Sequence, residues 1–181
     1  MKRLTVIIMA MLLLTASCTE KELETTFDSQ EKNIESIIKS LSNHNEDATV
    51  EHNKGTVRVT VVQGEGAPLE ENGAVAFYYA GFYISGSSLN NSNVFATNNE
   101  TFANSIRWSI TDSTAFDIKT IRMGEDELVE GLKDGLVGVK AGEECYVLFN
   151  GKHGFGKKKI ANIPSYAALA YQLWIKSVSN E

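Results

Sequence analysis

The chain has 181 residues, 43% of them hydrophobic, which is enough apolar material for one packed core. Its formal charge is −6, from 23 acidic and 17 basic residues, and the absence of a large basic block argues against a nucleic-acid partner. Two cysteines and three scattered histidines argue against a disulfide scaffold and against a metal centre, so no metal and no cofactor are expected.

The N-terminus reads first as an address. Lys2 and Arg3 precede an uncharged, largely apolar stretch over residues 4–16 that is too short to span a bilayer, which needs about 20 apolar residues. Leu14-Thr15-Ala16-Ser17-Cys18 then fits a lipobox. The reading is a bacterial lipoprotein signal over residues 1–17, with cleavage before Cys18 and lipidation of that cysteine by diacylglycerol and a fatty acyl chain. The expected location is the cell envelope, with the membrane held through the lipid on Cys18. Cys145 is then left without a disulfide partner, in an alternating run that makes it a small buried hydrophobe.

Residues 18–28 are charged and without clear period, and read as a tether. Residues 29–54 read as an amphipathic helix and a linker: Ile34, Ile37, Ile38 and Leu41 form one apolar stripe, and Asp28 or Ser29 serves as the cap. The stripe can pack on its own domain or on a second copy, so a monomer or a weak dimer is expected. From residue 55 the chain turns β-rich. Strands are predicted over 56–62, 74–84, 115–123, 143–149 and 168–178, with a short helix over 126–134. Polar residues over 85–93 read as a loop, and the Asn-rich stretch over 90–104 as an exposed insertion. The sum is an α+β domain over residues 55–181.

Several motifs follow one another in this domain. They are Val62-Gln63-Gly64-Glu65-Gly66 with Pro68, then Phe77-Tyr78-Tyr79-Ala80-Gly81, then Gly124 with Leu128-Val129-Glu130-Gly131-Leu132, then Val139-Lys140-Ala141-Gly142-Glu143, and Asn162-Ile163-Pro164 with Ala168-Leu169-Ala170-Tyr171. Their order and spacing resemble the FKBP-type peptidyl-prolyl cis-trans isomerase family from about residue 63 to 178. That resemblance implies a strongly twisted antiparallel sheet wrapped around a short helix, with a pocket between them. It implies catalytic positions at Tyr79, Phe95, Leu132, Phe155 and Tyr171, and substrate-binding positions at Phe116, Leu128, Val129 and Ile163. Ile118 is an equal claimant to the place given to Phe116. The Val129 N–H is the group expected to meet a substrate carbonyl. The chain departs from the family at Ala96, where an Asp is usual, at Leu132, where Trp is frequent, and at Phe155, which lacks a Tyr hydroxyl. These losses of polar groups bear on macrolide binding more than on catalysis.

The implied activity is isomerisation of X–Pro bonds in extracytoplasmic polypeptides, assisting their folding. The alternative is a catalytically weak FKBP-like polypeptide-binding module. Lys152, Lys157, Lys158 and Lys159 form a basic patch near Phe155. It reads either as a solvated loop or as an attraction for acidic polypeptides at the pocket mouth.

Overall fold

The computed structural model describes residues 2–108 and 113–181, and for residues 2–19 and 113 the backbone alone. The Cys18 side chain, and the lipidation expected there, therefore lie outside the described residues. The first element is a long helix, α1 (Lys2–Asn43). Among the described residues, no helix is long and apolar enough to cross a membrane.

The expected tether over residues 18–28 is helical instead, and the cap expected at Asp28 or Ser29 lies inside α1. The reason is one missed anchor. Phe27, only 8% exposed, continues the stripe of Ile34 and Ile37 two turns toward the N-terminus. Its ring meets Tyr166 edge-on at 5.9 Å and takes the Lys152 ammonium 5.0 Å above its face.

Six further strands join β1 (Thr49–Asn53) in one antiparallel sheet: β2 (Thr56–Val62), β3 (Ala74–Ile84), β4 (Val94–Thr97), β5 (Lys119–Arg122), β6 (Glu144–Phe149) and β7 (Ala168–Ser179). The order is β1-β2-β6-β7-β3-β4, and β5 also pairs with β3. Among the described residues two short α-helices accompany the sheet, α2 (Glu100–Ser105) and α3 (Glu130–Leu136). The α+β expectation holds, with the predicted helix over 126–134 displaced by one turn.

Strand alternation divides the sheet into two apolar faces. Val75, Phe77, Cys145, Val147, Phe149, Leu169, Tyr171, Leu173 and Ile175 pack with Leu132 and Leu136 of α3. Ala80, Phe82, Leu148, Ala168 and Ala170 pack on the opposite face with Ile34 and Ile37 of α1. The amphipathic stripe is thus spent on its own domain. Helix α3 comes close to the sheet because it turns glycines toward it: a Cβ on Gly131 or Gly135 would meet the Phe149 ring or the Val147 methyls within 2.3 Å.

Three expectations are corrected here. The linker over 44–54 contains β1, which closes on β2 through Lys54 and Gly55, both at positive φ (47° and 82°). The strand predicted over 115–123 is a 3₁₀ turn, Ser113–Phe116, followed by the shorter β5. The Asn-rich stretch over 90–104 is folded into the domain rather than exposed. It holds β4 and most of α2, and Asn93, Asn98 and Ala103 are buried.

Candidate functional site

Between α3 and the sheet lies a cavity of about 280 Å³, lined by Phe77, Tyr79, Phe95, Ala96, Lys119, Glu127, Leu128, Val129, Leu132, Phe155 and Tyr171. Each wall has a local origin. Alternation on β3 sends Phe77 and Tyr79 to the α3 side and Tyr78 to the other. The β3–β4 register slips between Gly81 and Phe82, which leaves Phe95 as the extra residue of a bulge. Its ring lies across Gly81, where a Cβ would come within 2.6 Å of the ring edge.

The rings interlock. Phe95 meets Tyr171 edge-on at 5.8 Å and Phe155 edge-on at 6.4 Å, and Tyr171 lies 6.2 Å from Tyr79 and stacks on Phe149 at 6.1 Å. Tyr171 is 5% exposed and Leu132, at the cavity floor, 6%. Burial pushes the Tyr79 phenol above its ordinary 10.0. It pushes Tyr171 further, with the neighbouring Tyr79 adding to the effect. Both stay neutral through the physiological range. The charged lining residues, Lys119 and Glu127, are exposed.

The polar complement is small. Val129 is the N-cap of α3 and has no side-chain cap bond. Its N–H meets no described partner, so a helix-terminal donor is left free beside the cavity. The backbone of Tyr79 is held from the β4–α2 segment. Its carbonyl accepts from the Thr97 hydroxyl at 2.7 Å and its N–H donates to Asn98 Oδ1 at 2.6 Å. Asn98, 5% exposed, also donates to the Asp117 carbonyl at 3.0 Å. The sequence offers no signal for this role, because asparagine in a polar run reads as a turn former.

The structure brings together Tyr79, Phe95, Leu132, Phe155, Tyr171, Leu128 and Val129, and Ala96, where an Asp is usual in the family, also lines the cavity. Phe116 is not among them. It lines a separate depression with Tyr78, Asn99, Glu100, Thr101 and Lys176. The 3₁₀ turn carries it to the face that Tyr78 occupies, and the other claimant, Ile118, is 41% exposed. Lys119, paired with Phe77 across the strands, stands on the cavity wall instead. Ile163, within the loop over 150–167, turns into the core at 3% exposed, off the cavity lining. Phe77, 1% exposed, is a further lining residue that the motifs did not single out. Among the described residues no group of histidine, cysteine and carboxylate side chains could hold a metal.

An antiparallel sheet holding a short helix, with an aromatic cavity between them, defines the FKBP-type class of domain. The family model for FKBP-type peptidyl-prolyl cis-trans isomerase matches residues 68–176, more than half of the chain, and the chain belongs to that family. No curated protein matches it in sequence. Among solved structures it is similar to FkpA from Escherichia coli, with a TM-score of 0.57 and 15% identity over 97% of this chain and 70% of that one. It is similar to the N-terminal domain of FKBP42 from Arabidopsis thaliana, at 0.54 and 16% over 74% and 94%. A peptidyl-prolyl cis-trans isomerase from Pseudomonas syringae pv. tomato aligns at 0.53 and 14% over 83% and 96%. At these identities the likeness is one of fold.

Proposed function

We propose that the chain catalyses cis–trans isomerisation of X–Pro bonds in extracytoplasmic polypeptides through the cavity between α3 and the sheet. The observation that carries this reading is an aromatic cavity with the free Val129 backbone donor beside it and, among the described lining residues, no buried charge. An X–Pro bond turns slowly because its amide resonance must be broken, at a cost of ~18–20 kcal/mol. The twisted transition state has lost that resonance and is less dipolar than the planar ground state. Water favours the planar form, so an apolar enclosure lowers the barrier by differential stabilisation. Phe95, Leu132, Phe155 and Tyr171 supply the enclosure. The Val129 N–H can hold the substrate carbonyl and Tyr79 can orient the chain by its hydroxyl. At about 280 Å³ the cavity lies just below the roughly 300–1,000 Å³ of ligand sites, a size that suits one prolyl residue.

The test is a protease-coupled or exchange-NMR isomerisation assay on a Leu-Pro peptide, with Phe155→Ala as the variant. Phe155 is half-buried at the cavity, so its loss opens the site to water with little cost to the core. The expected result is a tenfold or greater loss of kcat/KM, about 1.4 kcal/mol of transition-state stabilisation. Equal activity in a folded Phe155→Ala protein would take Phe155 out of the site, and a wild type with no activity would favour the alternative, a binding module using the same cavity without turnover. The absence of polar groups at Ala96 and Phe155 is the observation on that side.

We also propose that Cys18 carries a lipid that holds the protein at the membrane. The lipobox over residues 14–18 supports this. Cys18→Ser is expected to move the protein out of the membrane fraction or leave an uncleaved precursor, read by fractionation and palmitate labelling. Label still entering Cys18→Ser would overturn it.

A further inference from the structure

We propose that Gln30 of α1 is a positioning residue for the cavity: its carboxamide ties together the two ends of the loop that carries Phe155. The inference rests on the isomerase reading of that cavity and names the device that sets its geometry. Gln30 Oε1 accepts from the Gly151 N–H at 2.9 Å and Nε2 donates to the Tyr166 carbonyl at 2.7 Å. One side chain thus bonds both ends of the loop over residues 150–167 at once, which an amide can do and a carboxylate cannot.

The ends it joins are under close constraint. A Cβ on Gly151 would fall 2.0 Å from the Tyr166 carbonyl oxygen, so the two segments touch because residue 151 has no side chain. Tyr166 sits at φ 55°, a left-handed conformation that a non-glycine residue holds when its surroundings over-determine it. Those surroundings come largely from α1. Phe27 packs on the Tyr166 ring at 5.9 Å and Gln30 takes its carbonyl, while its N–H donates to the Gly156 carbonyl at 2.7 Å. At the other end, Glu31 accepts from Asn150 Nδ2 at 2.6 Å, and Asn150 Oδ1 accepts from the Lys152 N–H at 2.9 Å. Phe27, Gln30 and Glu31 stand at i, i+3 and i+4, one face of the helix.

From these ends, contacts run to two walls of the cavity. Phe155 is carried against Phe95, with ring centroids 6.4 Å apart. The His153 carbonyl accepts from the Gly131 N–H at 3.0 Å, in the first turn of α3 and two residues after Val129. Loosening the clamp therefore acts on the ring that closes the cavity and on the helix end that presents its donor.

The experiment uses the full chain with Gln30→Ala, Gln30→Glu and Ile34→Ala. Ile34 docks the same helix on the sheet through an apolar side chain that makes no hydrogen bond to the loop ends, so Ile34→Ala reports helix docking apart from those bonds. At a temperature where all variants are folded, Gln30→Ala, which removes both loop bonds, is expected to lose about tenfold in kcat/KM on a Leu-Pro peptide. Gln30→Glu keeps the Gly151 bond and loses the Tyr166 bond, and is expected to fall between Gln30→Ala and the wild type. Ile34→Ala is expected to be less stable than Gln30→Ala yet keep wild-type kcat/KM. Amide exchange across 151–167 should quicken in Gln30→Ala while that of β6 stays unchanged. Wild-type kcat/KM in Gln30→Ala, or activity lost in proportion to stability in both alanine variants, would overturn the clamp. If the wild type itself does not isomerise the peptide, the isomerase reading fails separately. Loop exchange then decides the clamp by itself, unchanged exchange overturning it and faster exchange supporting it.

Discussion

Gly81 has no side chain, and the edge of the Phe95 ring lies where one would begin, 2.6 Å from an added Cβ. Gly81→Ala must push Phe95 out of its contacts with Tyr171 and Phe155. A fall in kcat/KM without a large drop in melting temperature is the expected result, and an unaltered kcat/KM would show that the ring moves without consequence. Phe116→Ala, on the other face, is expected to leave kcat/KM as it is, while Phe95→Ala lowers it. A matched loss at both positions would return Phe116 to the site. The two buried phenols give a pH prediction with a definite sign. Burial raises Tyr79 above 10.0 and Tyr171 further, so the fold favours their neutral forms. Their contribution to stability is complete below about pH 10 and is lost as pH rises through the raised values. Alkaline titration of tyrosinate absorbance, run beside chemical denaturation, checks this, with phenols ionising at the ordinary value as the contrary outcome. Burial and the nearby Glu143 also raise the Cys145 thiol well above its ordinary value, which leaves it inert to thiol reagents in the folded chain.

Among the elements, α3 is short and is held at its C-terminal end by a side chain from the sheet. Arg58, 5% exposed, donates from Nη1 to the Gly135 carbonyl at 3.0 Å and to the Val137 carbonyl at 2.6 Å. These are carbonyls that a helix of this length leaves without internal partners, and a cation there suits the helix dipole. Arg58 also pairs with Glu51 and lies 3.5 Å from the buried Glu143, whose carboxylate accepts from the Thr60 hydroxyl at 2.9 Å. Removing one member of such a group leaves the other charge buried. Arg58→Ala is therefore expected to destabilise by about 3–5 kcal/mol, and Arg58→Met with Glu143→Gln together by less than the single change. Denaturant unfolding decides it, and an additive double variant would mean that the charges are not coupled.

In the whole molecule the sheet is covered on both faces, by α3 on one and α1 on the other. A chain starting at residue 55 would lose β1 and would bare Val57, Val59, Phe82 and Ala170, which Ile34 and Ile37 now cover. Aggregation or loss of a cooperative melt is expected for that piece, and a cooperative monomeric melt by scattering and calorimetry would argue that α1 is dispensable. The N-terminal helix thus belongs to the folding unit.

The strands β2, β3, β6 and β7 are legible in the sequence because apolar alternation is a local property, and each of them is buried on both faces of the sheet. Strand β1 is not legible, since most of its residues are exposed and carry no alternation. Tyr79, Phe95, Leu132, Phe155 and Tyr171 are implied by the resemblance to the family, whose ordered motifs carry the turns of the chain and the side chains that face α3, and not by local pattern alone. Phe116 could not be placed in this way, because a few residues of turn decide which face a ring reaches, and that depends on how β5 pairs with β3. Asn98, Arg58 and Gln30 each act on a backbone group far away in the chain. No period or local composition records such a bond, and it exists once the packing of sheet and helices has brought its two ends together.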